Sequence, residues 1–250
     1  SFIKQNRNLA ISENNGYNAR FVNDTVIVGK PTSITVINLP DSGQAAVSFA
    51  TKGIKRGNEE YLQGIVASTI LGGGFSSRLN QEIRIKRGLS YGARSDLSAR
   101  RTGGIFTART QTKNESAPEV ADLIVAELNR LGNEAVNANE LTPRKATLIG
   151  NFSRELETNE GLVGEIAKLA LYDINLSEIN SYIQNVQAVS DAKVRDFAKQ
   201  TLNPSNAEIV IVGDAKKFLP DLQKRFEGVK INVIPIAELD LNNADLRKVK

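Results

Sequence analysis

The stretch of sequence that decides the fold is residues 71–92, LGGGFSSRLNQEIRIKRGLSYG. Three consecutive glycines follow an apolar helical run, and they predict the end of a helix because glycine adopts positive φ without steric cost. Ser76 and Ser77 come next, and serine commonly accepts hydrogen bonds from the first free N–H groups of a new helix. We therefore predict a second, short and charged helix that begins after the serines and ends at Gly88.

Arg84 and Tyr91 are the candidate functional residues of this stretch. At about 100° per helical residue, Arg84 points well away from the apolar stripe of Leu79 and Ile83. Tyr91 follows seven residues later, just past the turn. A guanidinium and a phenol near one crevice are donors that can hold a peptide carbonyl. On the residues alone, a solvated helix arginine and a half-buried strand tyrosine are the more frequent interpretations.

Length and composition are typical of an ordinary globular domain. The chain has 250 residues, of which 40% are hydrophobic and 24% charged, and this length accommodates one large domain. The formal net charge is a modest +4, and the few aromatic residues do not interleave with basic clusters, so nucleic-acid binding is disfavoured. No apolar run approaches the length of a membrane span. The chain lacks methionine and begins at Ser1, so we expect a processed or shortened chain, and a removed leader is compatible with this.

The absence of two residue types restricts the chemistry. Without cysteine there are no disulfides, thiolate nucleophiles or thiolate metal sites. Without histidine there is no His-x-x-Glu-His zinc motif, and a serine triad lacks its usual base. We therefore expect that this chain does not hydrolyse a peptide bond unaided.

The order of predicted elements favours an α+β fold, with a mostly antiparallel sheet covered by helices on one side. Residues 33–39 have the pattern of an edge or entry strand, whereas the nearly all-apolar residues 207–214 are expected to be central and covered on both faces. The predicted strands are 26–28, 33–39, 46–50, 91–97, 104–112, 207–214 and 231–234. The predicted helices are 59–71, 118–131, a long region of 139–171 bent near 159–161, 176–186, 190–202 and 217–226.

The chain divides into an N-terminal arm or linker at 1–25, one domain at 26–240 and a tail at 241–250. The arm is polar and rich in asparagine, and the tail is polar as well. Asp214 follows the central strand, where it is expected to cap the next helix rather than to form an acid site. The glycines at 72–74 lack the lysine of a phosphate-binding loop, so a helix break is the preferred interpretation.

The run in residues 71–92 closely resembles the signature of the C-terminal repeat of the M16 (pitrilysin or processing-peptidase) metallopeptidases. The glycines, the Ser-Arg-Leu, the Glu-Ile-Arg and the Gly-Leu-x-Tyr occur in register, and a weaker resemblance extends from about residue 28 to residue 240. The resemblance implies a single repeat of the LuxS/MPP-like metallohydrolase fold, whose full enzymes carry two repeats that face one another. It also implies that the edge of the sheet at 46–49 faces the chamber, where an extended peptide can add to it.

Residue roles follow from the same resemblance. It implies that Arg84 and Tyr91 bind substrate by holding its backbone near the scissile carbonyl. Arg87 is then a surface charge, and Arg78 and Glu82 make ion pairs or caps. Ser76 and Ser77 are structural. The zinc, its ligands and the catalytic base belong to the partner half, and this chain binds no cofactor.

Two functions of different class remain open. The first is the non-zinc half of an M16 zinc metalloendopeptidase, whose partner carries His-x-x-Glu-His in the same polypeptide or in a separate subunit. The second is a catalytically inactive, M16-like structural or binding subunit. A bacterial periplasmic or otherwise exported location is expected, with the cytoplasm as the alternative. Neither a nucleic acid nor a membrane span is expected among the partners.

Overall fold

The computed structural model describes residues 29–248. The predicted arm at 1–25 and the predicted strand at 26–28 lie outside these residues. Six strands form one sheet: β1 (Ser33–Asn38), β2 (Ala45–Gly53), β3 (Ala93–Ala99), β4 (Gly104–Thr112), β5 (Ala207–Gly213) and β6 (Lys230–Pro235). Their order across the sheet is β3-β4-β2-β5-β1-β6.

The sheet is mostly antiparallel, as predicted. The pairs β3·β4, β4·β2 and β2·β5 are antiparallel, and β5·β1 and β1·β6 are parallel. Strands β1 and β2 are each hydrogen-bonded on both sides, so the expectations of an edge strand at 33–39 and of a sheet edge at 46–49 are wrong. The reason is long-range pairing, because β5 and β6 return from the C-terminal part of the chain to flank β1. The two outermost strands are β3 and β6.

The helices occur in the predicted order, except that one predicted helical region is divided into two helices. They are α1 (Tyr61–Gly72), α2 (Ala117–Asn133), α3 (Ala138–Leu156), α4 (Asn159–Leu171), α5 (Glu178–Gln187), α6 (Asp191–Thr201) and α7 (Leu219–Arg225). The long region predicted at 139–171 is two helices, and Thr158 begins the second by accepting a hydrogen bond from the backbone N–H of Gly161. A Cβ at Gly161 would lie 1.9 Å from the carbonyl oxygen of Glu155, so the break requires a glycine there.

The helices cover one face of the sheet. Helices α1, α2 and α6 pack directly on it, α3 packs on α1, and α7 packs on α2. In β5, Ile209 and Ile211 are buried in the core, whereas Glu208 on the opposite face is exposed. The expectation that β5 is covered on both faces is therefore wrong, because helices lie on one side only. We call the side without helices the open face.

The C-terminal residues return to the β6 end of the sheet. Arg247 donates hydrogen bonds to the carbonyl oxygen of Val233 (2.8 Å) and to Oδ1 of Asn232 (3.4 Å). The division into a domain ending at residue 240 and a separate tail stays a prediction. Within residues 29–248, no helix has both the length and the apolar character that a membrane span requires.

Asp214 occupies the N-cap position of the 3₁₀ helix Ala215–Lys217, but its side chain accepts no hydrogen bond from that helix. The predicted cap is wrong in this respect. Asp214 is buried, and its Oδ2 lies 3.8 Å from Nζ of Lys217. A salt contact therefore takes the place of the cap.

Candidate functional site

The glycine run ends α1 and begins a sharp loop, as predicted. Gly72 is the last residue of α1 and packs so closely on β3 that an added Cβ would lie 2.0 Å from the backbone N of Ser95. Gly74 has φ +124°, a value that favours glycine. The loop then exposes Phe75, whose side chain is 62% accessible. The following charged helix is a π-helix over Asn80–Ile85, and Gly88 (φ +64°) follows the turn after it.

Asn80 fixes this helix to the beginning of β3. Its amide Nδ2 donates to the carbonyl oxygens of Gly74 (2.9 Å) and Ala93 (2.8 Å), and its Oδ1 accepts from the backbone N–H of Ala93 (3.0 Å). The amide thus pairs with Ala93 much as a neighbouring strand would. Asn80 is only 5% exposed, so these bonds are shielded from water.

The N-terminal half of α3 holds the loop from the other side. Arg78 makes a two-point ion pair with Glu140, with both N–O distances at 2.8 Å, and Arg144 donates to Oγ of Ser76 (3.1 Å). Burial alone would lower the pKa of Arg78, but the hydrogen bond and charge of Glu140, together with the charges of Glu127 and Glu134, outweigh it and the pKa is raised. Oγ of Ser77 accepts from the side chain of Asn80. Both serines are structural, as expected, but in the described structure neither hydroxyl caps the helix.

Three further charges of the signature, those of Glu82, Lys86 and Arg87, pair with each other. Glu82 accepts hydrogen bonds from Lys86 and from Arg87. Burial would raise the pKa of Glu82, and the bonds to Lys86 and Arg87 outweigh it, so that the pKa is lowered. The prediction that Arg78 and Glu82 make ion pairs is confirmed. Arg87 is partly exposed and also approaches Glu119, with 3.6 Å between the charged atoms.

Arg84 and Tyr91 differ from these neighbours. Arg84 is exposed, and its guanidinium carbon lies 4.8 Å from the ring centroid of Phe75. Tyr91 is 91% exposed and precedes β3 by two residues. Among residues 29–248, no hydrogen bond or ion pair engages either side chain, and no hydrogen bond or cation–π contact joins the two. Both are therefore available at the end of the fold where α1, the π-helix and β3 meet.

Sequence reasoning missed the residues that build this end of the fold. Asn80, Glu140 and Arg144 act through contacts with residues distant in the sequence, which no local pattern reveals. Phe75 is the one with a local signal, because a large aromatic residue between glycines and serines in a loop is unusual. Within residues 29–248, no group of three or more acidic side chains is arranged to hold a metal ion.

A six-stranded sheet with helices on one face, and a glycine-broken helix pair at one end, defines an α+β domain. The family model described as the peptidase M16 inactive domain matches residues 14–148, which is more than half of the chain. The chain therefore belongs to the M16 inactive-domain family.

Relatives and solved structures agree with this assignment. The Bacillus subtilis "uncharacterized zinc protease YmxG" is 26% identical over 68% of this chain and 42% of that protein. The Helicobacter pylori "non-peptidase homolog YmxG" is 24% identical over 71% of this chain and 41% of that protein. The crystal structure of a peptidase M16 inactive domain from Pseudomonas fluorescens shares 29% identity at a TM-score of 0.67, covering 73% of this chain and 44% of that one. The chain spans less than half the length of each of these relatives.

Proposed function

We propose that this chain is the non-zinc half of an M16 zinc metalloendopeptidase, which closes the chamber over the zinc site of a partner half. In this proposal Arg84 and Tyr91 position the peptide substrate. The partner carries His-x-x-Glu-His, either in the same polypeptide or in a separate subunit. Zinc held there would supply the Lewis-acid chemistry of peptide-bond hydrolysis. This chain contributes binding, orientation and the exclusion of water.

One observation carries the proposal. Within a stretch where Arg78, Glu82 and Arg87 are all ion-paired, Arg84 and Tyr91 have no such partner. The ring of Phe75 supports the Arg84 guanidinium without using its N–H groups, and such a contact contributes roughly 0.5–1 kcal/mol at an exposed site. The guanidinium and the phenol thus remain able to donate to a peptide carbonyl oxygen as negative charge develops on it.

The test is peptide cleavage by a mixture of this chain with the His-x-x-Glu-His half, with and without a zinc chelator. We expect cleavage that appears only in the mixture and disappears on chelation. In the active mixture, Arg84→Ala and Tyr91→Phe should each lower kcat by about two to three orders of magnitude, because each removes one donor to the developing charge.

Arg87→Ala is the matched control, since Arg87 lies on the same segment but is ion-paired with Glu82. It should leave kcat within about twofold of wild type. Wild-type turnover in both Arg84→Ala and Tyr91→Phe would refute the positioning role.

The second candidate is a catalytically inactive structural or binding subunit. It is favoured by the similarity to the Helicobacter pylori protein whose name marks it as a non-peptidase homolog. Tight association with the partner half without cleavage, in the presence of zinc and with varied peptides, would support this candidate. A bacterial periplasmic or otherwise exported location stays a prediction.

A further inference from the structure

Two arginines lie directly opposite each other on the open face of the sheet. Arg94 of β3 pairs in register with Arg109 of β4, and both are exposed on the side away from the helices. Side chains opposed in this way have Cβ atoms about 5 Å apart, and like charges in such a pair are destabilising. The sheet therefore holds two positive charges together at a cost in stability.

Within residues 29–248, no acidic side chain forms an ion pair with either arginine. Three arginines there lack a hydrogen-bond, ion-pair or ring partner for the side chain, and all belong to the β3–β4 hairpin: Arg94, Arg100 and Arg109. The other described arginines each have such a partner: Arg56, Arg78, Arg84, Arg87, Arg101, Arg130, Arg144, Arg154, Arg195, Arg225 and Arg247. Asp96 lies on the same face, diagonal to Arg109, yet forms no ion pair with either arginine.

The pair adjoins the proposed substrate site. Tyr91 precedes Arg94 by three residues, a path of at most about 10 Å along an extended chain. An extended substrate rises by the same amount per residue. A peptide held by its backbone at Tyr91 and running over the open face thus brings its third or fourth residue near Arg94 and Arg109.

We propose that Arg94 and Arg109 form a carboxylate-binding subsite, which selects peptides with a negative charge about three or four residues from the scissile bond. This inference rests on the proposed function, because it specifies the substrate class of the same site. Guanidinium groups bind carboxylates through paired N–H donors in a fixed plane. The carboxylate comes either from an aspartate or glutamate side chain or from the C-terminus of the peptide.

Binding to the full 250-residue chain alone tests the subsite without catalysis. Fluorescence anisotropy compares four labelled peptides of one sequence: with glutamate or glutamine at one position, and with a free or an amidated C-terminus. We expect the effective carboxylate to tighten binding about three- to tenfold at low salt and less at high salt. The peptide pair that carries this difference identifies the source of the carboxylate.

The double variant Arg94→Gln/Arg109→Gln should abolish the difference between these peptides. Arg100→Gln is the matched control: its arginine is also unpartnered and on the same hairpin, but six residues along the chain from Arg94. It should keep the full difference. Equal affinity of wild type for all four peptides, no measurable binding of any, or an unchanged difference in the double variant would overturn the subsite.

Cleavage in the reconstituted mixture separates this inference from the proposed function. The double variant should raise KM for the preferred peptide about three- to tenfold with kcat unchanged, whereas Arg84→Ala lowers kcat. If the mixture cleaves nothing but the isolated chain still discriminates through Arg94 and Arg109, the subsite stands and the peptidase role fails. Cleavage with no discrimination overturns the subsite alone.

Discussion

Glu127 shows, at the scale of a single residue, how burial changes the pKa of a carboxyl group. It lies on α2 and is only 5% exposed, and its Oε1 accepts a hydrogen bond from Arg130 (2.8 Å). Its Oε2 is buried without a partner among the described residues. Burial raises the pKa of Glu127, and the positive charges of Arg130 and Arg78 offset only part of that effect. The folded protein thus favours the protonated form of Glu127 more than the unfolded chain does.

Because its pKa is raised, we expect the carboxyl group of Glu127 to contribute less to the stability of the fold as pH rises. Its pKa in the folded state lies above the ordinary value of 4.5, so the folded state binds the proton more tightly than the unfolded state does. The stabilisation is present below pH 4.5 and is lost as pH rises through the folded-state pKa. The free energy of unfolding of Glu127→Gln, relative to that of wild type, should therefore increase as pH rises and then level off. Urea midpoints of both proteins between about pH 4.5 and pH 8 measure this.

Glu134→Gln is the matched control for that series. Glu134 also pairs with Arg130 (3.2 Å), but its side chain is 64% exposed, so water solvates its charge. Its difference from wild type should stay nearly constant over the same range. A constant difference for Glu127→Gln as well would contradict the prediction.

The junction of α1 with β3 is a close packing of two elements that depends on a single glycine. Gly72 approaches the backbone of Ser95, and Oγ of Ser95 donates to the carbonyl oxygen of Ser68 one turn earlier in α1 (2.7 Å). Gly72→Ala would place a methyl group 2.0 Å from a backbone nitrogen, so the helix or the strand must move. We expect a loss of about 1–3 kcal/mol in the free energy of unfolding, measured by urea denaturation.

Gly57→Ala is the comparison for this junction, because nothing lies within 4 Å of a Cβ built at Gly57. It should change stability by less than about 0.5 kcal/mol. Equal losses in the two variants would contradict the contact with Ser95 as the source of the cost, because helix propensity and unfolded-state entropy both favour alanine over glycine.

Local signals predicted most elements but not how they are arranged. The helix end at the glycines, the turn at Gly88 and the exposure of Arg84 follow from φ preferences and periodicity within a few residues. The π-helical geometry of Asn80–Ile85 was missed, since an i→i+5 bond such as that from Lys86 N–H to the carbonyl of Gln81 leaves no mark in the sequence pattern.

Contacts between distant residues account for the rest of what the sequence did not predict. Arg78 and Glu140 are 62 residues apart, and Arg144 and Ser76 are 68 apart. The resemblance predicted Arg84 and Tyr91 as the site, but no sequence pattern shows that Phe75 supports Arg84. Strand order was hidden for the same reason, and it is why β1 and β2 were misplaced at edges.

At the scale of the whole molecule, strands from the N-terminal and C-terminal parts of the described chain lie next to each other in the sheet. β1 lies between β5 and β6, and β5 alone joins β1 to β2. The C-terminal segment also supplies buried core residues, among them Ile209, Ile211, Phe218, Leu222 and Phe226. The domain should therefore unfold as one cooperative unit, even though the family model matches only residues 14–148.

Truncation tests this cooperativity and the predicted domain boundary together. A chain ending at residue 206 loses β5, α7 and β6, which leaves β1 without either neighbour. We expect it to lose cooperative thermal unfolding and near-ultraviolet circular dichroism, and to bind hydrophobic dyes. A chain ending at residue 240 keeps all six strands and loses only the turn that carries the Arg247 contacts, so it should unfold cooperatively with a slightly lower Tm. Cooperative unfolding of the 206-residue chain would show that the N-terminal strands and helices form a core without β5, against the strand order described above.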